Sequence, residues 1–200
     1  MKAVLLAIAL LFTLACSSSI TLSQLQSIMP NGNKNNLANY HPYLVDALAW
    51  GNLNTCARIS AFLGQIAEES AELHYMEEIA SGAEYEGRCK DLGNCFTGDG
   101  VKFKGRGPIQ ITGRTNYQNA GAGIGRDLIS NPTDAALPQY AFKTAVWYWN
   151  SRNLNAEADK NTQAGFDQCT LKVNGCLTCT RTHKDVRDNY WKKAKSVLGC

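Results

Sequence analysis

The chain has 200 residues, of which 44% are hydrophobic and 18% charged. That is enough apolar material for one sizeable core and excludes a chain disordered throughout. Its 20 Lys and Arg against 17 Asp and Glu leave +3, with no basic run longer than two residues. So small and scattered a charge argues against a nucleic-acid partner or a membrane-surface role, and a monomer is expected.

Lys2 gives a short positive start, Ala3 to Ala15 is apolar apart from Thr13, and small residues follow from Cys16 to Ser19. This reads as an export signal over residues 1–18. The apolar run suits a signal core of roughly 7–15 residues and falls short of the roughly 20 needed to span a membrane. Residues 19–200 are then one soluble, secreted domain. Export accounts for the cysteines: Cys56, Cys89, Cys95, Cys169, Cys176, Cys179 and Cys200 lie beyond the signal and read as disulfides, the odd count leaving one thiol over or keeping Cys16 in play. Zinc would need four ligands. Cys176 and Cys179 with the dispersed His41, His74 and His183 do not supply a second spaced pair, so no metal is expected.

Helical spacing of Leu22, Leu25, Ile28 and Met29 predicts a first helix, ended by Pro30-Asn31-Gly32. A short second helix is predicted over residues 43–50, stopped by Gly51, and a long regular third over 58–75. Residues 80–107, rich in Gly and charge and holding two cysteines, read as a long pinned excursion of the kind that carries function. A brief strand is predicted at 108–112, then helices at 140–149, 166–173 and 186–198. The fold class is mainly α.

The third helix carries the first candidate chemistry. Its apolar stripe is Ile59, Phe62, Leu63, Ile66 and Leu73. At about 100° per residue, Glu69 lies roughly 60° from the stripe centre, Glu72 about 120° and Glu68 about 160°, the last facing solvent. Glu69 is thus the carboxylate at the edge of the core. A partly desolvated carboxyl keeps its proton to higher pH, as a general acid requires; the pattern equally fits a border glutamate reaching for water. Glu77 and Glu78 stand where the helix gives way to the excursion. A glycosidase needs two carboxyl groups flanking the sugar bond, and a helix end plus a loop can hold them apart. In the predicted strand Ile109 and Ile111 face inward while Gln110 and Thr112 share the other face, where amide and hydroxyl groups suit sugars or an ordered water.

The runs Phe62-Leu-Gly-Gln-Ile-Ala-Glu-Glu-Ser70, Glu77-Glu-Ile-Ala-Ser-Gly-Ala-Glu-Tyr-Glu-Gly-Arg88 and Gly105-Arg-Gly-Pro-Ile-Gln-Ile-Thr112 together resemble glycoside hydrolase family 19, the chitinases and related cell-wall lysins. Val173-Asn174-Gly175 and Arg187 ahead of Tyr190-Trp191 extend the resemblance over nearly all of residues 22–198, in a compact layout more like bacterial and phage-type members. The resemblance implies a lysozyme-like bilobed helical fold and an inverting hydrolase of β-1,4-linked N-acetylglucosamine polymers needing no metal, nucleotide or prosthetic group. It implies Glu69 as general acid, Glu78 as general base and Thr112 as a holder of the attacking water. Gln110, Asn116 and Asn174 match substrate-contacting positions. Arg187, grouped with them at the substrate site, matches a charged residue supporting the acid/base pair.

The chain departs from the family in having Glu68 where a His is usual, Ser70-Ala71-Glu72 where Gly is frequent, and Cys176 for a second Gly. Three functions follow: a chitinase, the same chemistry on peptidoglycan, or an inactive sugar-binding defence protein. Retention of both Glu69 and Glu78 argues against the last.

Overall fold

A computed structural model describes residues 19–200, so the expected export signal lies outside the described residues. Helix α1 (Leu22–Ile28) starts in a reciprocal capping box. The Thr21 hydroxyl accepts from the Gln24 N–H, and the Gln24 amide oxygen accepts from the Thr21 N–H. Helix α2 spans Lys34–Trp50, nine residues longer at its start than predicted. Pro42 lies inside the helix, the Asn33 side chain caps the Asn35 and Asn36 N–H groups, and Leu37 and Leu44 are buried on the inward face.

Helix α3 (Cys56–Glu69) is central: every residue from Ile59 to Ala67 is buried, which a single apolar stripe did not predict. It ends six residues earlier than expected. The Ser70 hydroxyl donates to the Ile66 carbonyl and accepts from the Leu73 N–H, and Ala71, Glu72 and Leu73 all take positive φ. Three consecutive side chains here occupy left-handed backbone, a conformation that favours glycine.

The excursion is built of short helices α4 (Cys89–Leu92) and α5 (Asp99–Lys102) beside a 3₁₀ turn at Ala83–Tyr85. The predicted strand at 108–112 does not form. Arg106 bridges Glu77 on one side and Ile111 on the other, and Gln110 at φ 54° turns the chain. The in-out alternation survives, with Ile109 and Ile111 buried and Gln110 and Thr112 half-buried.

Helix α6 (Arg114–Ile124) was not predicted, its Asn and Gly content being poor for a helix. The Asn94 side chain caps the Arg114 N–H, and Tyr117 is fully buried with its hydroxyl on the Lys104 carbonyl. Helices α7 (Pro138–Ser151), α8 (Leu154–Ala158), α9 (Gln163–Asn174) and α10 (Lys184–Leu198) complete the body.

Helices α3 and α10 run antiparallel. A disulfide joins Cys56 at the start of one to Cys200 just past the end of the other, while Glu69 meets Arg187 at the opposite end. Between these ties a Cβ at Gly64 would stand 3.0 Å from both Trp191 Cβ and Phe166 Cζ, so a side chain there would push α10 off. Further disulfides join Cys89 to Cys95 and Cys176 to Cys179. Cys169 is the thiol left over among the described residues; burial pushes it up to about 12, so it stays an inert core group.

Candidate active site

Glu69 is the last residue of α3, its side chain 19% exposed. Arg187 of α10 donates from Nη2 to Glu69 Oε1 at 2.6 Å. Burial raises the proton affinity of this carboxyl above the ordinary range, and the guanidinium only partly reverses the shift. Arg187 is itself 2% exposed. That burial does not fit its grouping with the substrate contacts: the guanidinium is packed in the interior and faces Glu69. Two further bonds hold it, Nη1 to Gln65 Oε1 at 2.8 Å and Nε to the Thr182 carbonyl at 2.7 Å.

Glu78 lies just before the excursion and is bound to its far end. Its N–H donates to the Gly105 carbonyl at 2.9 Å, and the Gly105 N–H returns to Glu78 Oε2 at 3.0 Å. The Tyr85 hydroxyl donates to Oε1 at 2.9 Å and Lys104 Nζ to the Glu78 carbonyl at 2.9 Å. Both carboxylate oxygens are therefore oriented. A Cβ at Gly105 would stand 2.8 Å from Gln110 Oε1 and 3.2 Å from Glu78 Oε2, which gives that glycine a reason. The neighbouring acid, Glu77, is tied to Lys104 and Arg106 instead. Burial alone would raise its carboxyl; the two cations outweigh that and lower it. The two adjacent acids thus differ in their partners, Glu77 facing two cations and Glu78 a phenol and a backbone N–H.

The other residues singled out fall into two groups. Thr112 donates its hydroxyl to the Gln110 carbonyl at 2.9 Å, and Asn116 donates to the Thr112 carbonyl at 2.8 Å. Gln110, Thr112 and Asn116 thereby form one connected ridge on the excursion side, joined to Glu78 through Gly105. Asn174 stands on the acid's side: it ends α9 and accepts from the Thr182 hydroxyl at 3.0 Å. The Cys176–Cys179 bridge closes the turn that follows it.

Two expectations about the α3 acids are corrected. Glu68 does not face open solvent: His183, at the start of α10, meets its Oε1 from Nδ1 at 2.5 Å. Glu72 does not project from a helix at all. Its carboxylate, in a residue 4% exposed, accepts from the Asn31 N–H at 2.6 Å, the Asn31 side chain at 3.1 Å and the Tyr190 hydroxyl at 2.6 Å. Residues not singled out in the sequence are Gln65, Tyr85, Gly105 and Thr182. A glutamine one turn before the acid, inside an apolar helix, was a readable signal for the first; the others depend on long-range closure. Among the described residues no three His, Cys, Asp or Glu side chains group as a metal site requires.

What the fold and site define is a helical frame that carries one largely desolvated carboxyl, Glu69, and a second, Glu78, with both oxygens oriented. The family profile described as Chitinase class I matches residues 49–199, and the chain belongs to glycoside hydrolase family 19. It is 34% identical over 145 residues to the acidic 27 kDa endochitinase of Solanum lycopersicum, covering 60% of this chain and 54% of that one. An endochitinase of Arabidopsis thaliana is 40% identical over 144 residues, covering 70% and 48%. The chain spans about half the length of these curated relatives. Chitinase C from Streptomyces griseus overlays with a TM-score of 0.73 at 26% identity, covering 92% of this chain and 78% of that one. The lysozyme-like helical fold expected from the resemblance is the observed one.

Proposed function

We propose that this protein hydrolyses β-1,4-linked N-acetylglucosamine polymers, chitin first, by single displacement with inversion. One observation carries the reading: two carboxyl groups from different parts of the fold sit in opposite environments. Burial raises the proton affinity of the Glu69 carboxyl, partly offset by Arg187, whereas Glu78 accepts from a phenol and a backbone N–H. A carboxyl whose proton affinity is raised by burial suits the acid of such a pair, and the oriented second carboxyl suits the base. Glu69 protonates the leaving glycosidic oxygen, and the negative charge it then acquires develops against Arg187. Glu78 takes a proton from the water that attacks the opposite face, with Thr112 as a neighbouring hydroxyl for that water. Gln110, Asn116 and Asn174 contribute amides suited to sugar hydroxyl and N-acetyl groups. Export to an oxidising compartment belongs to the same reading and is supported by three disulfides among the described residues.

The test is stereochemical. If Glu78 activates water, the first product from a β-linked chitin oligomer is the α-anomer, and the two carboxyl groups stand roughly 6.5–9.5 Å apart in the working complex. Anomer-resolved NMR during early hydrolysis reads this directly; a β-product removes Glu78 from the role of base. Running the same protein on peptidoglycan, with products identified by mass, separates chitin from the bacterial wall as substrate.

Tyr85→Phe should lower kcat about tenfold, because a hydrogen bond to a charged group is worth about 1.5 kcal/mol or more, with KM nearly unchanged. Steady-state kinetics on a chitin oligomer measure it. A rise in KM with kcat intact would show that Tyr85 serves the ligand and not Glu78.

A further inference from the structure

The guanidinium of Arg187 is divided among three acceptors: Glu69 Oε1 at 2.6 Å, Gln65 Oε1 at 2.8 Å and the Thr182 carbonyl at 2.7 Å. Only one of these, Glu69, can carry charge. Gln65 is fully buried and lies one helical turn before Glu69, on the same face. Its amide orientation is dictated by its partners. Arg187 can only donate, so the oxygen faces it, and the amide nitrogen donates to Thr170 Oγ1 at 2.8 Å. A buried amide is an expensive choice in a helix otherwise sheathed in apolar side chains. An apolar residue would leave one guanidinium N–H unpaired, and a glutamate of the same size would claim the cation for itself.

We propose that Gln65 is a positioning residue for the acid: its neutral oxygen anchors Arg187 while leaving the guanidinium charge to Glu69 alone. The role deepens the reading of Glu69 as general acid and rests on it. Of the other groups near Glu69, only Thr170 touches position 65 directly. On its own helix Glu68 is engaged by His183 from the start of α10. From α7 comes the Tyr148 phenol, close enough for Glu69 to raise it further after burial has done so, with Arg152 over its ring. The α9 helix presents the neutral Thr170 and Asn174.

Two variants test the role. In Gln65→Glu the size is kept, and the Thr170 hydroxyl can donate to the new carboxylate as readily as it accepted from the amide. Two carboxylates then share one cation, and the proton on Glu69 is held more tightly. The Glu69 side-chain carboxyl, followed by carbon-13 NMR without substrate, should titrate about one pH unit higher than in the wild type. The alkaline limb of the kcat profile on a chitin oligomer should rise with it. Gln65→Met removes the acceptor with similar volume and should lower kcat about tenfold at nearly constant KM, as expected for loss of an interaction that matters in the transition state.

An unmoved Glu69 titration in Gln65→Glu overturns the proposal. So does a methionine variant whose KM rises in step with its fall in kcat, since that marks a collapsed cleft. Should the glutamate variant fail to fold, the methionine variant's split decides alone. If the Glu69 titration moves while the kcat profile stays, the hold of Gln65 on Glu69 stands and the assignment of Glu69 as the acid falls.

Discussion

Glu69→Gln should abolish turnover and Glu78→Gln should lower kcat by about 10²–10⁴-fold or more, the range lost when a positioned proton donor or acceptor is removed. The first change removes the proton itself. An amide at position 69 can still face the Arg187 guanidinium with its oxygen, so the helix end and its partner keep their geometry. At position 78 the amide can keep accepting from Tyr85 or Gly105 but cannot take a proton from water. The informative controls are the two other acids of this stretch. Glu68→Gln loses a carboxylate contact with an exposed histidine, worth at most about 1 kcal/mol at the surface, and should leave kcat within a few-fold. Glu72→Gln forces an amide group among three donors, Asn31 N–H, Asn31 Nδ2 and the Tyr190 hydroxyl. It should lower the melting temperature while kcat at 25 °C changes little. Thermal melts and initial rates on all four variants separate the cases, and equal kcat losses across them would break the assignment of roles.

The controls also show where the sequence was readable. Spacing on α3 identified Glu69 as the carboxyl at the core edge, and that inference needed only the apolar positions. The same periodicity misplaced Glu72, because nothing in a helical wheel announces that Ser70 will fold its hydroxyl back and end the helix. The start of α2 and the whole of α6 were missed for a related reason: Asn and Gly lower local helix propensity, and tertiary contacts overrode it through Leu37, Leu44 and Tyr117. The predicted strand carried a correct statement about faces inside a wrong statement about conformation. The frame behind the acid is the least readable part. Gln65 was visible as a polar residue in an apolar run, but its partner lies 122 residues further on, and no local pattern connects the two. Cysteine counting likewise gave disulfides and one spare thiol without their pairing.

Loss of the Cys56–Cys200 bridge is the largest stability effect expected. It closes a separation of 144 residues, for which chain entropy gives about 5 kcal/mol. The melting temperature should fall by about 10–20 °C in a chain of this size. The Cys176–Cys179 bridge spans three residues and should contribute only about 2 kcal/mol on the same relation. Replacing each pair with serines and comparing calorimetric melts tests the difference; equal shifts would mean that loop closure is not the source of the stability. The long bridge matters to chemistry as well. It fastens α3 to α10 at one end, Gly64 lets the two helices close against Trp191 in the middle, and Arg187 meets Glu69 at the far end. Below its lowered melting temperature the variant keeps the middle contact, including the stacking of Phe166 on Trp191 at 4.7 Å between centroids. Its kcat should therefore remain within a few-fold of the parent until unfolding begins. A large kcat loss well below the melt would show instead that the bridge, and not the packed helix pair, holds Arg187 on the acid.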